Sequence, residues 1–248
     1  YAHRERLERS GVLLVGPSRL FLRYIEQVLP SLGETGVVSV TVGDLVPGVH
    51  ARAEDDEAVA RIKGLPAWAK IVKEAVRSLA KLPEGDQVLR VWNREVTLSR
   101  SDVETARRRA KRSGRAHNVA RESFARELMD VLALRLAREA GDADSEGGVD
   151  PEVKRSWLIE IRDSVDCRRA INTAWMPTSA GTLLRRLYAR PEVLAAANRK
   201  AGSPLRPDEL AALVRPRSAP WTVSDVPILD ECEELLGPMP TTSAASRE

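Results

Sequence analysis

The chain has 248 residues, of which 43% are hydrophobic and 30% charged, and its formal net charge at pH 7 is +3. This composition is typical of a globular chain and excludes a disordered or membrane-embedded one. No apolar run approaches the roughly 20 residues that span a bilayer, and the charged opening segment does not resemble a signal peptide. The sequence therefore predicts a cytoplasmic protein that does not contact the membrane.

The residues before position 50 predict an α/β element. A short apolar run from Gly11 to Pro17 is typical of a buried parallel strand, and Ser18 can cap the helix that follows. The β-branched run Val37–Val42 predicts a second strand. Such a βαβ unit needs a parallel sheet with more strands than the chain supplies. Together with the absence of an initiator Met, this predicts a piece of a longer protein.

The remainder has helical periodicity with one β-hairpin, so the predicted fold class is mainly α with a small α/β part. The hairpin is predicted over Gln87–Leu98, turning around Asn93-Arg94, and a basic helix should begin at Ser99 or Ser101. The other predicted helices cover Glu54–Gly64, Ala67–Leu82, Val119–Ala140, the region from Pro151 to Met176, Ser179–Tyr188, Pro191–Lys200, Pro207–Leu213 and Asp225–Leu236, and a linker follows Gly237. Asn118 is the expected N-cap of the long helix, and Arg121 is expected to pair with a carboxylate.

The charges are unevenly distributed along the chain. The stretch from Arg100 to Arg126 contains nine basic and three acidic residues. Its candidate binding residues are Arg107, Arg108, Arg109, Lys111, Arg112, Arg115 and Arg121. They either contact nucleic-acid phosphates or form a solvated helix face beside an acidic partner surface. The loop Asp142–Glu152 has five acids and no base, with Asp142, Asp144, Glu146 and Asp150 as its candidate site residues. This loop is either a mobile element that reaches a basic or metal-containing partner site, or a simple helix connection.

No motif for nucleotide, metal or nucleophilic chemistry is present. The sequence has no GxxxxGK[ST] loop, and the two cysteines, Cys167 and Cys232, lie far apart without a nearby histidine, so neither a metal site nor a cofactor is predicted for this chain. The Asp230-Glu231 pair imitates the Asp-Glu motif that holds magnesium in NTPases. Because apolar residues recur around it at helical spacing, it is interpreted as helix surface.

Several segments resemble the HelD-like proteins, RNA polymerase-associated NTPases of the UvrD/Rep-type superfamily 1 helicases. The resemblance is carried by residues 3–18 (HRERLERSGVLLVGPS), 21–25 (FLRYI), 28–34 (VLPSLGE), 117–121 (HNVAR), 220–231 (PWTVSDVPILDE) and 234–237 (ELLG). It spans the chain, and it is specific at the two ends and around His117.

The resemblance implies a domain organisation. Residues 1–50 would be part of a RecA-like motor domain 1A, residues 51–215 the family-specific helical insertion, and residues 216–248 a return segment and linker. Gly16, Pro17 and Ser18 would correspond to motif Ia at the motor cleft, with Thr41 near the next motif. The glycine-rich ATP loop would precede Tyr1, and the Asp-Glu magnesium motif would follow Glu248.

The family implies a function for the parent protein, which would use ATP and magnesium in a bacterial cytoplasm. It would bind RNA polymerase and release it from stalled nucleic acid, and some family members protect against rifamycins. The acidic loop, or the acidic tail Asp225–Glu248 with its six acids and one arginine, would then face the basic polymerase channel. The arginines would face an acidic polymerase surface. Two alternatives stay open: a DNA-translocating helicase whose arginine-rich helix grips single-stranded DNA, and a structural insertion without a ligand.

Overall fold

A computed structural model describes residues 12–28, 37–144 and 146–240. The protein is mainly helical with two separate two-stranded sheets, which confirms the predicted mainly α fold with a small sheet part. The elements are β1 (Val12–Gly16), α1 (Arg19–Val28), β2 (Val37–Thr41), α2 (Glu57–Lys63), α3 (Ala67–Arg77), β3 (Gln87–Val91), β4 (Arg94–Leu98), α4 (Arg100–Arg112), α5 (His117–Ala140), α6 (Pro151–Asp163), α7 (Val165–Ala174), α8 (Ala180–Ala189), α9 (Pro191–Lys200), α10 (Pro207–Ala212) and α11 (Val226–Leu236). Within the described ranges, every helix is too short or too polar to span a lipid bilayer.

The chain divides into two compact units. The first comprises residues 1–70 and 184–231, and the second comprises residues 71–183 and 232–248. The domain boundaries expected at residues 50 and 215 come from the resemblance to the HelD-like family, and they stay a prediction. The charged opening segment and most of the expected C-terminal linker lie outside the described residues.

In the first unit, β1, α1 and β2 form the predicted parallel βαβ element. The strands pair in register from Val12 with Val37 to Gly16 with Thr41. Ser18 caps α1 as predicted, since its Oγ accepts a hydrogen bond from the Phe21 N–H at 3.2 Å. Gly16 allows the close approach of α1, because a Cβ at this position would lie 2.5 Å from Cδ2 of the buried Leu22.

The first unit also contains a buried cluster of charged and polar side chains around Lys63. The Lys63 side chain is 2% exposed, and its ammonium donates to Asp55 Oδ2 at 2.7 Å and contacts Asp225 Oδ1 at 2.9 Å. Thr222 joins the same cluster, because its hydroxyl donates to Asp55 Oδ2 at 2.6 Å and lies 3.1 Å from Lys63 Nζ. A buried ammonium is stable only when its charge is compensated, so these contacts fix α2 against the segment that precedes α11.

Asp225 is the acceptor at the centre of this cluster and is fully buried. Besides Lys63, it accepts hydrogen bonds from the Arg215 guanidinium, from the Tyr188 hydroxyl at 3.0 Å and from the Thr222 N–H at 2.9 Å. Each oxygen of the buried Asp225 carboxylate therefore has two hydrogen-bond donors, which replace the water that burial removes. The cluster joins residues that no local sequence pattern connects.

The second unit combines the β3–β4 hairpin with α4 to α7. The hairpin is antiparallel with Val91 opposite Arg94, so its two loop residues are Trp92 and Asn93 rather than the predicted Asn93 and Arg94. Trp92 adopts a positive φ of 52°, which is uncommon for a bulky residue, so its place in the turn is not a sequence signal. Ser99, not Ser101, caps α4 in a capping box with Asp102.

An apolar cluster around α5 forms a large part of the core of the second unit. Its largest fully buried members are Leu98, Phe124, Leu128, Leu132, Leu136, Ile161 and Trp175. The helix predicted over Ala67–Leu82 ends earlier, at Arg77. The reason is tertiary: the Lys81 N–H donates to the Ala174 carbonyl at 2.8 Å, which an uninterrupted helix would not allow.

Candidate functional site

The residues expected at the motor cleft meet at the carboxyl ends of the two parallel strands. Gly16 and Thr41 are cross-strand partners at the last position of β1 and β2, and Pro17 and Ser18 follow β1 directly. In open α/β sheets this edge is where ligands bind. The four residues predicted together are therefore brought together, at an edge suited to binding.

A hydrogen-bonded cluster centred on Asp44 lies beside them. Asp44 Oδ2 accepts from the Thr41 hydroxyl and from Arg19 Nη2, each at 2.9 Å, and Oδ1 lies 3.1 Å from His50 Nδ1. The hydrogen bonds from His50, Arg19 and Thr41 hold the pKa of the Asp44 carboxyl well below its usual range. Asp44 is therefore a carboxylate at every pH at which proteins are normally handled.

An open cavity of about 550 Å³ borders this cluster, and Arg19, Arg23, Thr41, Asp44 and His50 line part of it. Both oxygens of the Asp44 carboxylate already have hydrogen-bond partners, so Asp44 holds the Arg19, Thr41 and His50 side chains in place. Sequence reasoning missed Arg19, Asp44 and His50, because they are 25 and 6 residues apart and form no linear motif. The part of the chain that the structure describes contains no group of three His, Cys, Asp or Glu side chains that could hold a metal ion.

The predicted arginine cluster is distributed around α4 rather than forming one patch. Arg107 and Lys111 reach the carbonyls of Ala80 and Arg77, at 3.4 and 3.3 Å. Arg109, in contrast, pairs with Glu127 of α5 at 2.7 Å. The remaining members of the set, Arg108, Arg112 and Arg115, are exposed.

Arg121 lies near the beginning of α5 and is half-buried. Its guanidinium donates to the Trp175 carbonyl at 3.2 Å and to Asn172 Oδ1 at 2.6 Å. The expected pairing with a carboxylate is therefore wrong, because neutral acceptors from the end of α7 take its donors. These contacts fix the beginning of α5 to the α7 end.

Asn118 was predicted to be the N-cap of α5, and this prediction is wrong. The helix begins at His117, with Ala116 as its N-cap and no capping side chain. Asn118 is 1% exposed: its Nδ2 donates to the carbonyls of Thr178 and Gly237 at 3.1 and 3.0 Å, and its Oδ1 accepts from the Thr178 N–H at 3.0 Å. The side chain was available for these distant bonds because it did not cap its own helix.

The acidic loop forms a defined turn in the described residues. Asp144 Oδ1 accepts from the N–H groups of Glu146 and Gly148, at 3.0 and 2.7 Å. Asp150 caps α6 by accepting from the Glu152 N–H at 2.7 Å, with Pro151 at the first helical position as predicted. Both aspartates thus have local structural roles, while the carboxylates themselves remain exposed.

The interpretation of Asp230-Glu231 as helix surface is confirmed. Both residues lie within α11, where Asp230 is exposed, and the predicted apolar face of that helix is buried at Ile228, Leu229 and Leu236. The pair therefore does not follow a strand, as a magnesium-binding Asp-Glu motif would.

No protein-family model matches the chain, and no curated protein matches it.

Proposed function

We propose that this chain is part of an ATP-dependent, HelD-like motor that binds RNA polymerase and releases it from stalled nucleic acid, in some members with rifamycin protection. The observation that carries the proposal is the βαβ element, whose motif-Ia-like residues meet at the carboxyl ends of two parallel strands. Parallel strands are normally covered on both faces and belong to larger sheets. A RecA-like motor sheet is a structure that would supply that cover.

The exposure of apolar side chains on this element supports the proposal. Leu13 and Val15, alternate residues of β1 that point to the same face of the sheet, are 56% and 46% exposed, so this face is open. On α1, Leu20 and Tyr24 are 75% and 66% exposed. Apolar exposure of this extent is typical of a surface that another element covers.

ATP and magnesium belong to the parent motor in this proposal, and the described residues at the ends of β1 and β2 do not fit a magnesium site. The carboxylate nearest the strand ends, Asp44, already has Thr41, Arg19 and His50 on its two oxygens. A magnesium ion would have to displace these donors. We therefore assign no step of ATP hydrolysis to this chain, which instead supplies polymerase-binding surface.

Charge separation gives the second unit its proposed role in binding the polymerase. A polymerase channel that normally holds nucleic acid is basic, and an exposed acidic loop is complementary to it. Asp144, Glu146 and Asp150 are exposed and lie close in sequence. The exposed arginines of α4 would face an acidic polymerase surface.

Removing three loop charges is expected to weaken the affinity for RNA polymerase about tenfold, mainly through slower association. The variant Asp144→Asn/Glu146→Gln/Asp150→Asn keeps the side-chain oxygens that accept the turn and cap hydrogen bonds, so the thermal unfolding midpoint should not move. Biolayer interferometry with core RNA polymerase measures the affinity.

The matched control, Glu104→Gln/Glu122→Gln/Glu160→Gln, removes the same charge from exposed helix positions and should bind like the unaltered chain. An unchanged affinity of the loop variant would remove the loop from the interface. The acidic tail is then tested with Asp230→Asn/Glu233→Gln/Glu234→Gln. If the unaltered chain does not bind the polymerase at all, the proposal itself is wrong.

A DNA-translocating helicase is the second candidate, and the exposure of Arg108 and Arg112 on α4 favours it. It predicts binding to bare single-stranded DNA that weakens steeply with salt. Under this candidate, Arg108→Ala/Arg112→Ala should reduce the slope of log affinity against log salt by about 1.4, since each phosphate contact on a single strand contributes about 0.7. Fluorescence anisotropy with a labelled oligonucleotide measures the slope, and absence of DNA binding excludes this candidate.

A further inference from the structure

A cavity of about 530 Å³ lies within the second unit. The end of α3, the segment that joins α4 to α5, and the first turn of α5 contribute to its wall. Five of its lining residues carry basic side chains: Lys73, Arg77, Lys111, Arg115 and His117. Its volume lies in the range of pockets that hold small organic ligands, about 300–1,000 Å³.

The wall of this cavity is strongly cationic. Lys73, Arg77, Lys111 and Arg115 are exposed, and none of the lining residues that the structure describes is acidic. Arg77 pairs with Glu74 at 2.6 Å and Lys111 donates to the Arg77 carbonyl at 3.3 Å, so Lys73 and Arg115 are the two side chains assigned to a ligand. The positive charge that remains favours an anionic ligand.

His117 contributes hydrogen-bonding capacity to the wall rather than charge. Burial lowers the pKa of His117 below its usual value, so the imidazole is neutral at pH 7. Its Nε2 lies 3.1 Å from the Met176 carbonyl, and because a carbonyl oxygen only accepts, this nitrogen carries the proton. The other ring nitrogen is then an acceptor.

The first turn of α5 adds to the positive potential of the cavity. The helix has 24 residues and begins at His117, without a capping side chain and without an acidic residue in its first turn. His117 and Ala120, both of this turn, line the cavity. The N-terminus of a helix carries partial positive charge and N–H donors, which suit an anion.

The rest of the wall is apolar. It is formed by Val76, Ala120, Trp175 and Leu235. Trp175 is 2% exposed, and its indole Nε1 is one of the few buried polar atoms in the described residues without a hydrogen-bond partner. A ligand for this cavity therefore has two parts, an anionic group and an apolar body.

We propose that this cavity binds an organic phosphate of nucleotide size. Its phosphates would contact the cationic side chains at the rim, and its base or another apolar body would lie against Val76 and Leu235. Phosphate fits because it accepts several charge-assisted hydrogen bonds at once. The proposal does not depend on the polymerase-binding function, since it concerns a different surface of the chain.

The test compares two charge-reversal variants of the whole chain. Lys73→Glu/Arg115→Glu alters the cavity, whereas Arg108→Glu/Arg112→Glu makes the same change of net charge on exposed α4 positions that do not line it. The probe is a fluorescently labelled ATP without magnesium, followed by anisotropy. The cavity variant should bind it at least about tenfold more weakly, since it loses the charge-assisted bonds of two side chains, and the control should stay within about twofold.

Competition experiments define the ligand. Unlabelled ATP should displace the probe at least about tenfold more effectively than inorganic phosphate, because phosphate lacks the apolar body. No binding of the probe at millimolar concentration, or equal losses in both variants, would overturn the proposal. Displacement by a single-stranded oligonucleotide but not by unlabelled ATP would also overturn it, since the phosphates would then belong to a nucleic-acid strand. Should the cavity variant fail to fold, Lys73→Ala/Arg115→Ala replaces it with the same expected direction.

Discussion

Replacing Asp225 by alanine is expected to lower the free energy of unfolding of the first unit by about 3–5 kcal/mol. Asp225 is fully buried and accepts from Lys63, Arg215, Tyr188 and the Thr222 N–H. Its removal leaves the buried Lys63 ammonium with only Asp55 as a carboxylate partner. Chemical denaturation followed by circular dichroism measures the loss.

Asp208→Ala is the matched control for this experiment. Asp208 also pairs with an arginine, Arg206, but both side chains are about two-thirds exposed. Solvent screens such a pair, so the denaturation midpoint should not move. Equal effects of Asp208→Ala and Asp225→Ala would contradict the assigned role of the buried cluster.

The same aspartate should contribute to the acid sensitivity of the protein. Burial raises the pKa of Asp225, but the hydrogen bonds from Lys63, Thr222 and Arg215 more than offset it, so its pKa lies below the usual value. A carboxyl with a depressed folded pKa stabilises the fold above its unfolded pKa, about 3.9. That stability is lost as the pH falls from there through the folded pKa. The unaltered chain should therefore lose more stability below about pH 4 than Asp225→Asn does, and parallel pH profiles would contradict this.

The second large effect is expected for Asn118→Ala, at about 3 kcal/mol. The substitution removes the groups that satisfy the Thr178 N–H and carbonyl and the Gly237 carbonyl, and it does so at a site that is 1% exposed. Buried backbone groups left without partners account for most of the loss. Thermal and chemical denaturation of the whole chain give the value.

Two further variants make the Asn118 prediction specific. Asn118→Asp keeps the acceptor for the Thr178 N–H but loses both donors and buries a charge, so it should destabilise at least as much as alanine. Asn93→Ala, at an exposed hairpin position, should have little effect. A loss below about 1 kcal/mol for Asn118→Ala would show that water replaces its hydrogen bonds.

Local chemistry made much of the secondary structure predictable. Pro151, Pro191 and Pro207 each occupy the first turn of a helix, and Gly237 ends α11 with a φ of 69°. The strand, helix and strand before residue 50 were likewise predictable, because apolar runs and turn residues are local signals. Whether the βαβ element belongs to a RecA-like motor depends on the strands and helices that would lie beside it, so this assignment stays a prediction.

The polar contacts that matter most were not predictable. Asn118 has a side chain suited to capping, and only tertiary structure gives it Thr178 and Gly237 as partners instead. Lys63 and Asp225 resemble ordinary surface charges in the sequence, although both are buried. The basic cavity also combines side chains from separate helices. Counting basic residues between Arg100 and Arg126 identified Lys111 and Arg115, but it could not identify Lys73 and Arg77 of α3.

The buried cluster around Lys63 has a consequence for the order of folding. Lys63 and its partner Thr222 are separated by 159 positions, so their contact closes a very long loop, whereas most of the second unit is continuous from 71 to 183. Closing a loop becomes entropically harder with length, by about 0.6 kcal/mol for each doubling, and topologies rich in distant contacts fold slowly. We therefore expect the second unit to acquire its native structure first and the first unit to close around the Lys63 cluster afterwards. Pulse-labelled hydrogen exchange should then show early protection in α5 and late protection in α2.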